Sequence, residues 1–242
     1  GFFLANKTPT FMEKPPGQCA RETRELLEIA EAHGTPNQVA FNRRHAPLLR
    51  KMKELAAEAG EPVSALSCQF YRYNRGESNF AFGTGLHGLD ALRFLGDHEV
   101  RGVHTRPGLH GSALVRLEYE SGAYGSFEML PLVGVQSERY TVHAAGRTVV
   151  VDGAIGWLTL FPGFLQCFDA GKKTLEIVNA PNSQPVEVVS GFYGESAHFV
   201  ASLRGLASPT PDLRAALRSV EIAEAADEAI ALGKSETYVR WD

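Results

Sequence analysis

The chain has 242 residues, 44% of them hydrophobic, which is enough for one large domain or one and a half ordinary ones and excludes wholesale disorder. Lys and Arg number 24 against 28 Asp and Glu, and a formal charge of -4 makes the chain a poor candidate for a dedicated nucleic-acid binder, which needs a basic face to neutralise phosphates. No apolar run approaches the roughly 18 residues of a membrane span, and the opening GFFLA has neither the basic lead nor the cleavage site of a signal peptide. Three cysteines (Cys19, Cys68 and Cys167) without CxxC spacing suggest neither a disulfide framework nor a zinc site. The expectation is a cytoplasmic, metal-free protein that handles small molecules.

In chain order, TPTFMEKPP (8–16) reads as a short extended piece stopped by two prolines. Residues 18–33 follow helical periodicity up to Gly34, QVAFN (38–42) has strand length, and 47–60 forms a helix with Pro47 in its first turn. This α/β pattern then gives way to strands. VSALSCQFYRY (63–73) leads, a short helix spans 88–96, and a series follows: EVRGVHT, SALVRLEY, AYGSFEML, ERYTVHAA, RTVVVDG, IGWLTLF, KTLEIVN and PVEVV. Short turns between consecutive strands predict a mainly antiparallel sheet with one open face, an apolar surface suited to self-association. Two helices, 194–206 and 212–232, close the chain.

Three segments carry chemistry. Glu13-Lys14-Pro15 stands at a strand end, and Asn42-Arg43-Arg44 follows the next strand, where open α/β sheets present ligand contacts. FGTGLHGLDALRFLGDHEV (82–100) places His87 at a helix start, where the positive dipole end disfavours its cationic form, with Asp90 one turn on. Gly83-Thr84-Gly85-Leu86-His87-Gly88 matches the dinucleotide fingerprint GxGxxG. It follows only a thin apolar stretch, and HTRPGLH (104–110) supplies no acid, so it reads as a helix entry. His104, His110 and His143 lack metal-ligand spacing and read as structural, and no GxSxG supports serine-hydrolase chemistry.

Together with ESAHFVASLRG (195–205) and LRAALRSVEIAEAADEAI (213–230), these phrases resemble, in consistent order along the chain, the Gfo/Idh/MocA family of NAD(P)-dependent oxidoreductases. The resemblance implies an α+β chain. Residues 1–45 match the last part of a Rossmann dinucleotide-binding domain. Residues 46–242 match a C-terminal domain for substrate and oligomerisation, a large mainly antiparallel open-faced sheet with helices on one side, joined as a homodimer or homotetramer through the open face. On that match the phosphate-binding βαβ part, roughly 80–100 residues at about 30 per unit, lies outside this sequence, and the chain alone is expected not to bind NAD or NADP.

The same resemblance implies site roles. Lys14 and His87 are the catalytic candidates, Lys14 for substrate binding and proton transfer and His87 as a neutral imidazole beside a substrate hydroxyl. Glu13, Lys14 and Pro15 would border the cofactor, joined by Asn42 and Arg43 from their place after a strand end, where Arg43 or Arg44 could reach a cofactor phosphate or a substrate carboxylate. Lys14, Arg44, Tyr71, His87 and His198 are the candidates to face the substrate. One position departs from the family pattern: Gly83 stands where many of these dehydrogenases carry an Asp, so Tyr71 or Tyr73 would have to stand in, or the chemistry differs. The implied function is oxidation of a CH–OH group in a sugar, polyol or related compound. The alternatives are a non-catalytic relative for assembly or ligand binding, and NAD-assisted glycoside cleavage or elimination.

Overall fold

In the computed structural model, which describes residues 1–153, 163–179, 184–233 and 237–241, the α/β start forms a single βαβ step. A helical turn, α1 (Phe2–Ala5), precedes β1 (Thr10–Met12), and α2 (Ala20–His33) carries the chain to β2 (Asn37–Val39). The two strands pair in parallel, Phe11 opposite Gln38. α2 buries Thr23, Leu27 and Ala30, spaced at helical intervals, and ends at Gly34 in the left-handed region at φ 63°. The predicted run 38–42 is a strand only to Val39; Asn42–His45 turn as a 3-10 helix, and Pro47 then starts α3 (Pro47–Ala57).

The remainder is one nine-stranded sheet built from β3 (Val63–Tyr71), β4 (Val100–Pro107), β5 (Ala113–Tyr119), β6 (Tyr124–Leu130), β7 (Ser137–Ala144), β8 (Arg147–Asp152), β9 (Phe164–Asp169), β10 (Lys172–Val178) and β11 (Thr237–Arg240). Its order is β10-β9-β8-β7-β3-β6-β5-β4-β11, antiparallel throughout except the central β3–β6 pair. Sequence patterning overlooked β9 and β11. It also assigned PVEVV to a strand, whereas Pro185 caps the short helix α5 (Val186–Val189); the predicted strand over 155–161 falls outside the described residues.

Helices cover one face. α3 lies on β7, β8 and β9; α4 (Leu86–Gly96) on β3 and β6; α7 (Leu213–Leu232) on β4 and β5. Beneath α4, Phe70 and Phe127 are fully buried, each contributing about 1.5–3 kcal/mol of hydrophobic stabilisation. α6 (Phe192–Leu203) packs over the 42–45 turn. The other face differs from the apolar surface expected. Along β3, β6 and β7 the outward positions include Ser67, Gln69, Tyr71, Glu128, Arg139 and Thr141, and Tyr71 donates to Glu128 Oε2 at 2.5 Å. Alternation buries one apolar set under the helices and leaves the outward phase mixed, with Leu114, Tyr124, Phe164 and Phe168 among the polar positions. Among the described residues no helix is long and apolar enough to cross a membrane.

Candidate active site

The carboxyl ends of β1 and β2 deliver Glu13-Lys14-Pro15 and Asn42-Arg43-Arg44 to the same side, the position where open α/β sheets meet ligands. Before α4 the chain makes a wide π-helical turn, Ala81–Gly85, and Lys14 reaches it: Nζ donates to the Gly83 carbonyl at 2.6 Å. His87 follows in the first turn of α4. Lys14 thus holds the turn that leads into His87, and the two are near enough that the charge of Lys14 acts on the imidazole.

Their protonation is set by burial and by neighbouring cations. Burial, then Arg43, brings the Lys14 amine down to about 8, with Glu13 opposing and Arg75 adding to the fall. Burial, then Arg43, Lys14 and Arg72, holds His87 well below the usual imidazole range. His87 Nδ1 is shut off from solvent and has no hydrogen-bond partner among the described residues. Glu13 is exposed, its carboxylate accepting from the Lys14 amide at 3.2 Å, and the Lys14–Pro15 bond is cis.

Arg43 is engaged inside the protein. Its Nη2 donates to Glu138 Oε1 at 2.6 Å and its Nη1 to Asn42 Oδ1 at 3.0 Å. Arg72 bonds the same Glu138 oxygen, and Tyr140 donates to the other at 2.9 Å. Asn42 is likewise engaged, donating to the Ser190 carbonyl at 2.7 Å. Arg44 forks onto Asp90 at 2.8 and 2.7 Å, and Asp90 also accepts from Ser219. The structure thus gives Asn42, Arg43 and Arg44 interior partners, because the chain enters a buried 3-10 turn where guanidinium groups must be paired.

Two further candidates are carried away from Lys14. Tyr71 occupies the outward phase of β3, opposite to the face that Phe70 presents to α4, and donates to Glu128, which with burial pushes its phenol up to about 12. His198 lies on α6, its Nε2 within 2.9 Å of the Ser208 carbonyl and its ring 5.3 Å from that of His45. Both histidines and Arg44 line a separate cavity of about 410 Å³ floored by Phe94, whose walls include neither Lys14 nor His87. Tyr73 is exposed.

Sequence reasoning missed Arg72, Glu138 and Arg75. Glu138 had a signal: it is a charged letter in the same strand phase as buried Tyr140 and Val142. Arg75 had none; its Nη2 donates to Thr84 Oγ1 at 2.5 Å, next to Gly83.

The GTGLHG segment enters a helix, and packing explains its glycines: a Cβ on Gly88 would lie 2.5 Å from the Phe127 ring and one on Gly85 3.1 Å from the Met129 sulfur. Ahead of and at the start of α2, which follows the parallel strand β1, the Gln18 and Ala20 amides donate to Glu22 and Glu224. One amide ahead of the helix and one in its first turn are thus taken up by carboxylates of the protein.

No family model matches the chain. It is 27% identical over 165 residues to an uncharacterized oxidoreductase of Bacillus subtilis, YrbE, an alignment that covers 62% of this chain and 47% of that protein. The match thus spans less than half of that curated relative's length. Among solved structures, an inositol dehydrogenase homolog of Azotobacter vinelandii complexed with NADH and myo-inositol is similar with a TM-score of 0.78, at 16% identity, over 99% of this chain and 73% of that one. An oxidoreductase of Agrobacterium radiobacter in complex with NAD+, L-tartaric acid and magnesium gives 0.77 at 17% identity, over 98% and 74%. The chain shares the fold of these oxidoreductases.

Proposed function

We propose that the chain supplies the substrate side of an NAD(P)-dependent oxidoreductase that acts on the CH–OH group of a sugar, polyol or related small hydroxyl compound. The observation that carries this reading is the hold of Lys14 on the Gly83 turn that leads into His87. With its amine near 8, Lys14 is populated in both protonation states around neutrality, so it can take the hydroxyl proton as the carbon is oxidised. His87, neutral, hydrogen-bonds a hydroxyl without repelling the lysine. A nicotinamide dinucleotide, when bound, supplies the hydride acceptor. The residues described fit only its reacting end, bordered by Glu13, Lys14 and Pro15. For its phosphates the described residues offer no glycine-rich turn, and the Ala20 amide at the start of α2 already donates to Glu224.

On this reading the phosphate-binding turn belongs to a segment outside the sequence described, and the three unpaired cysteines suit work in the cytoplasm. Self-association would use the open sheet face, through polar pairs like that of Tyr71 and Glu128. The test is to express the complete coding sequence in which this chain occurs and follow NADH or NADPH formation against a panel of polyols, sugars and sugar acids. Turnover that Lys14→Met abolishes supports the reading. Product without net reduced cofactor moves it to cleavage or elimination, and no turnover with any compound overturns it.

A further inference from the structure

Five features of the site concern charge, space and access around Lys14 and Gly83. Lys14 forms no ion pair among the described residues, and its ammonium, with three donors to place, gives one to the Gly83 carbonyl. Arg43 and Arg72, both buried, share the single carboxylate of Glu138. Of the other acids nearby, Glu13 is exposed, and Glu195, buried with Oε2 unpartnered among the described residues, is held towards its neutral form by burial and then by Glu13. Charged cations therefore outnumber charged acids in the interior beside Lys14. A Cβ built on Gly83 would meet no atom within 4 Å, so open space lies beside the lysine's anchor. His87 Nδ1, close by, is buried and unpartnered among the described residues, a state that costs free energy until an oxygen arrives. Lys14 is only half-buried, which leaves a way in from solvent.

We propose, building on the reading of Lys14 and His87 as substrate contacts, that this site takes a hydroxy acid or sugar acid whose carboxylate sits in the space beside Gly83 against Lys14. The carboxylate supplies the negative charge the interior lacks and occupies the remaining donors of the Lys14 ammonium. A neutral polyol would fill the same space but leave the excess of cations unanswered. Selection would therefore rest on charge: a substrate acid is favoured over the corresponding alcohol because no carboxylate among the described residues forms an ion pair with the Lys14 ammonium, Glu13 being exposed and bonded to the Lys14 amide.

The experiment uses the purified full chain and the smallest matched probes, glycolate and ethylene glycol, followed by glucuronate and glucose. Each is present while lysines are labelled by reductive methylation, and labelling is read peptide by peptide by mass spectrometry. Exposed Lys172 serves as the control for ionic strength. Occupancy protects by one plus the ratio of ligand to Kd, so labelling of Lys14 should slow about fivefold at four times Kd. The expected result is protection of Lys14 by glycolate and glucuronate, little by their neutral partners, and none at Lys172.

Gly83→Asp fits sterically and places the chain's own carboxylate in that space, so it should abolish protection by the acids. Equal or better protection by the neutral probes would overturn the proposal while leaving Lys14 as a substrate contact. Protection by neither class would remove that role from Lys14 and the proposal with it. Protection by acids that survives Gly83→Asp in a folded variant would place the carboxylate elsewhere and overturn the assignment to Gly83. The wild-type comparison of acid with alcohol stands whether or not that variant folds.

Discussion

Replacing Glu138 by Gln isolates the charge arrangement under the site. In the wild type one carboxylate, fully buried, accepts from Arg43 and Arg72, whose side chains are 4% and 3% exposed, while Tyr140 donates to it. The neutral amide of the variant would keep the shape and leave two buried guanidinium groups without an acid. Breaking such a pair from one side costs about 3–5 kcal/mol, and at roughly 2–4 °C per kcal/mol for a chain of this size Tm should fall by about 6–20 °C. The pH dependence gives a second check. The two guanidinium groups hold the Glu138 carboxyl down to about 2 against burial, far below its ordinary 4.5. A depressed carboxylate stabilises the fold above the unfolded-state value and loses that contribution as pH falls towards the folded one. Urea melts of wild type and Glu138→Gln should therefore differ by a constant amount above pH ~5 and converge progressively below about 4.5. A difference under ~1 kcal/mol at pH 7 would refute the assignment of a buried, uncompensated charge, as would a gap that does not narrow in acid.

Glu195, 3% exposed with Oε2 unpartnered among the described residues, is pushed up to about 8 by burial and then by Glu13. The folded state holds its proton where the unfolded state has lost it, so stability should decline as pH rises from about 4.5 to 8. Glu195→Gln should match wild type in melts at pH 5 and exceed it at pH 9; parallel curves at both would count against this. Gly191 sits at φ +86°, and a Cβ there would collide with the Asn42 carbonyl oxygen, so Gly191→Ala should lose about 3 kcal/mol or more from strain and overpacking together, measured by chemical denaturation. Titrated with NADH or NADPH, the chain should show no saturable fluorescence change at millimolar cofactor, since GTGLHG is a packed helix entry and the Ala20 amide that opens α2 is bonded to Glu224; saturation would reveal a phosphate site.

Periodicity located most of the fold because most of its elements announce themselves locally. α2 has a helical stripe and a glycine stop, α3 opens on Pro47, and β5 and β6 alternate cleanly between buried and outward residues. The failures were also local. FLQCFD, between a Pro-Gly pair and a turn, was hidden by its neighbours, although it pairs with both β8 and β10. PVEVV has β-branched letters, yet lies where α5 must lead into α6, and tertiary position overrode propensity. At the site, Lys14 and His87 could be reached through short contiguous phrases. The partners that set their chemistry could not: Arg43 meets Glu138 across 95 residues and Arg72 meets it across 66. Single-sequence spacing contains no term for such pairings, and only the strand phase of Glu138 hinted that an acid had been placed inside.

Those long-range partners change what Arg43 does. Leaving the end of β2, it joins the βαβ piece to β7 through Glu138, and its charge is the largest electrostatic cause lowering both Lys14 and His87 after burial itself. It is a positioning residue with an electrostatic reach into the site. Arg43→Met removes one of the two cations competing for Glu138, leaving Arg72 and Glu138 matched one to one. Its cost in stability should consequently be smaller than that of Glu138→Gln, even though it deletes the bonds to Asn42 and Glu138. The Lys14 amine should meanwhile move up from about 8 towards its ordinary 10.5, since its first electrostatic cause is gone. The pH at which Lys14 labelling reaches half its maximal rate measures that shift directly. A solvated arginine that merely touches cofactor would alter neither quantity in the free chain. An unchanged Lys14 titration in a folded Arg43→Met variant would therefore sever the buried pair from the site, and with it the account of why this lysine is reactive near neutrality.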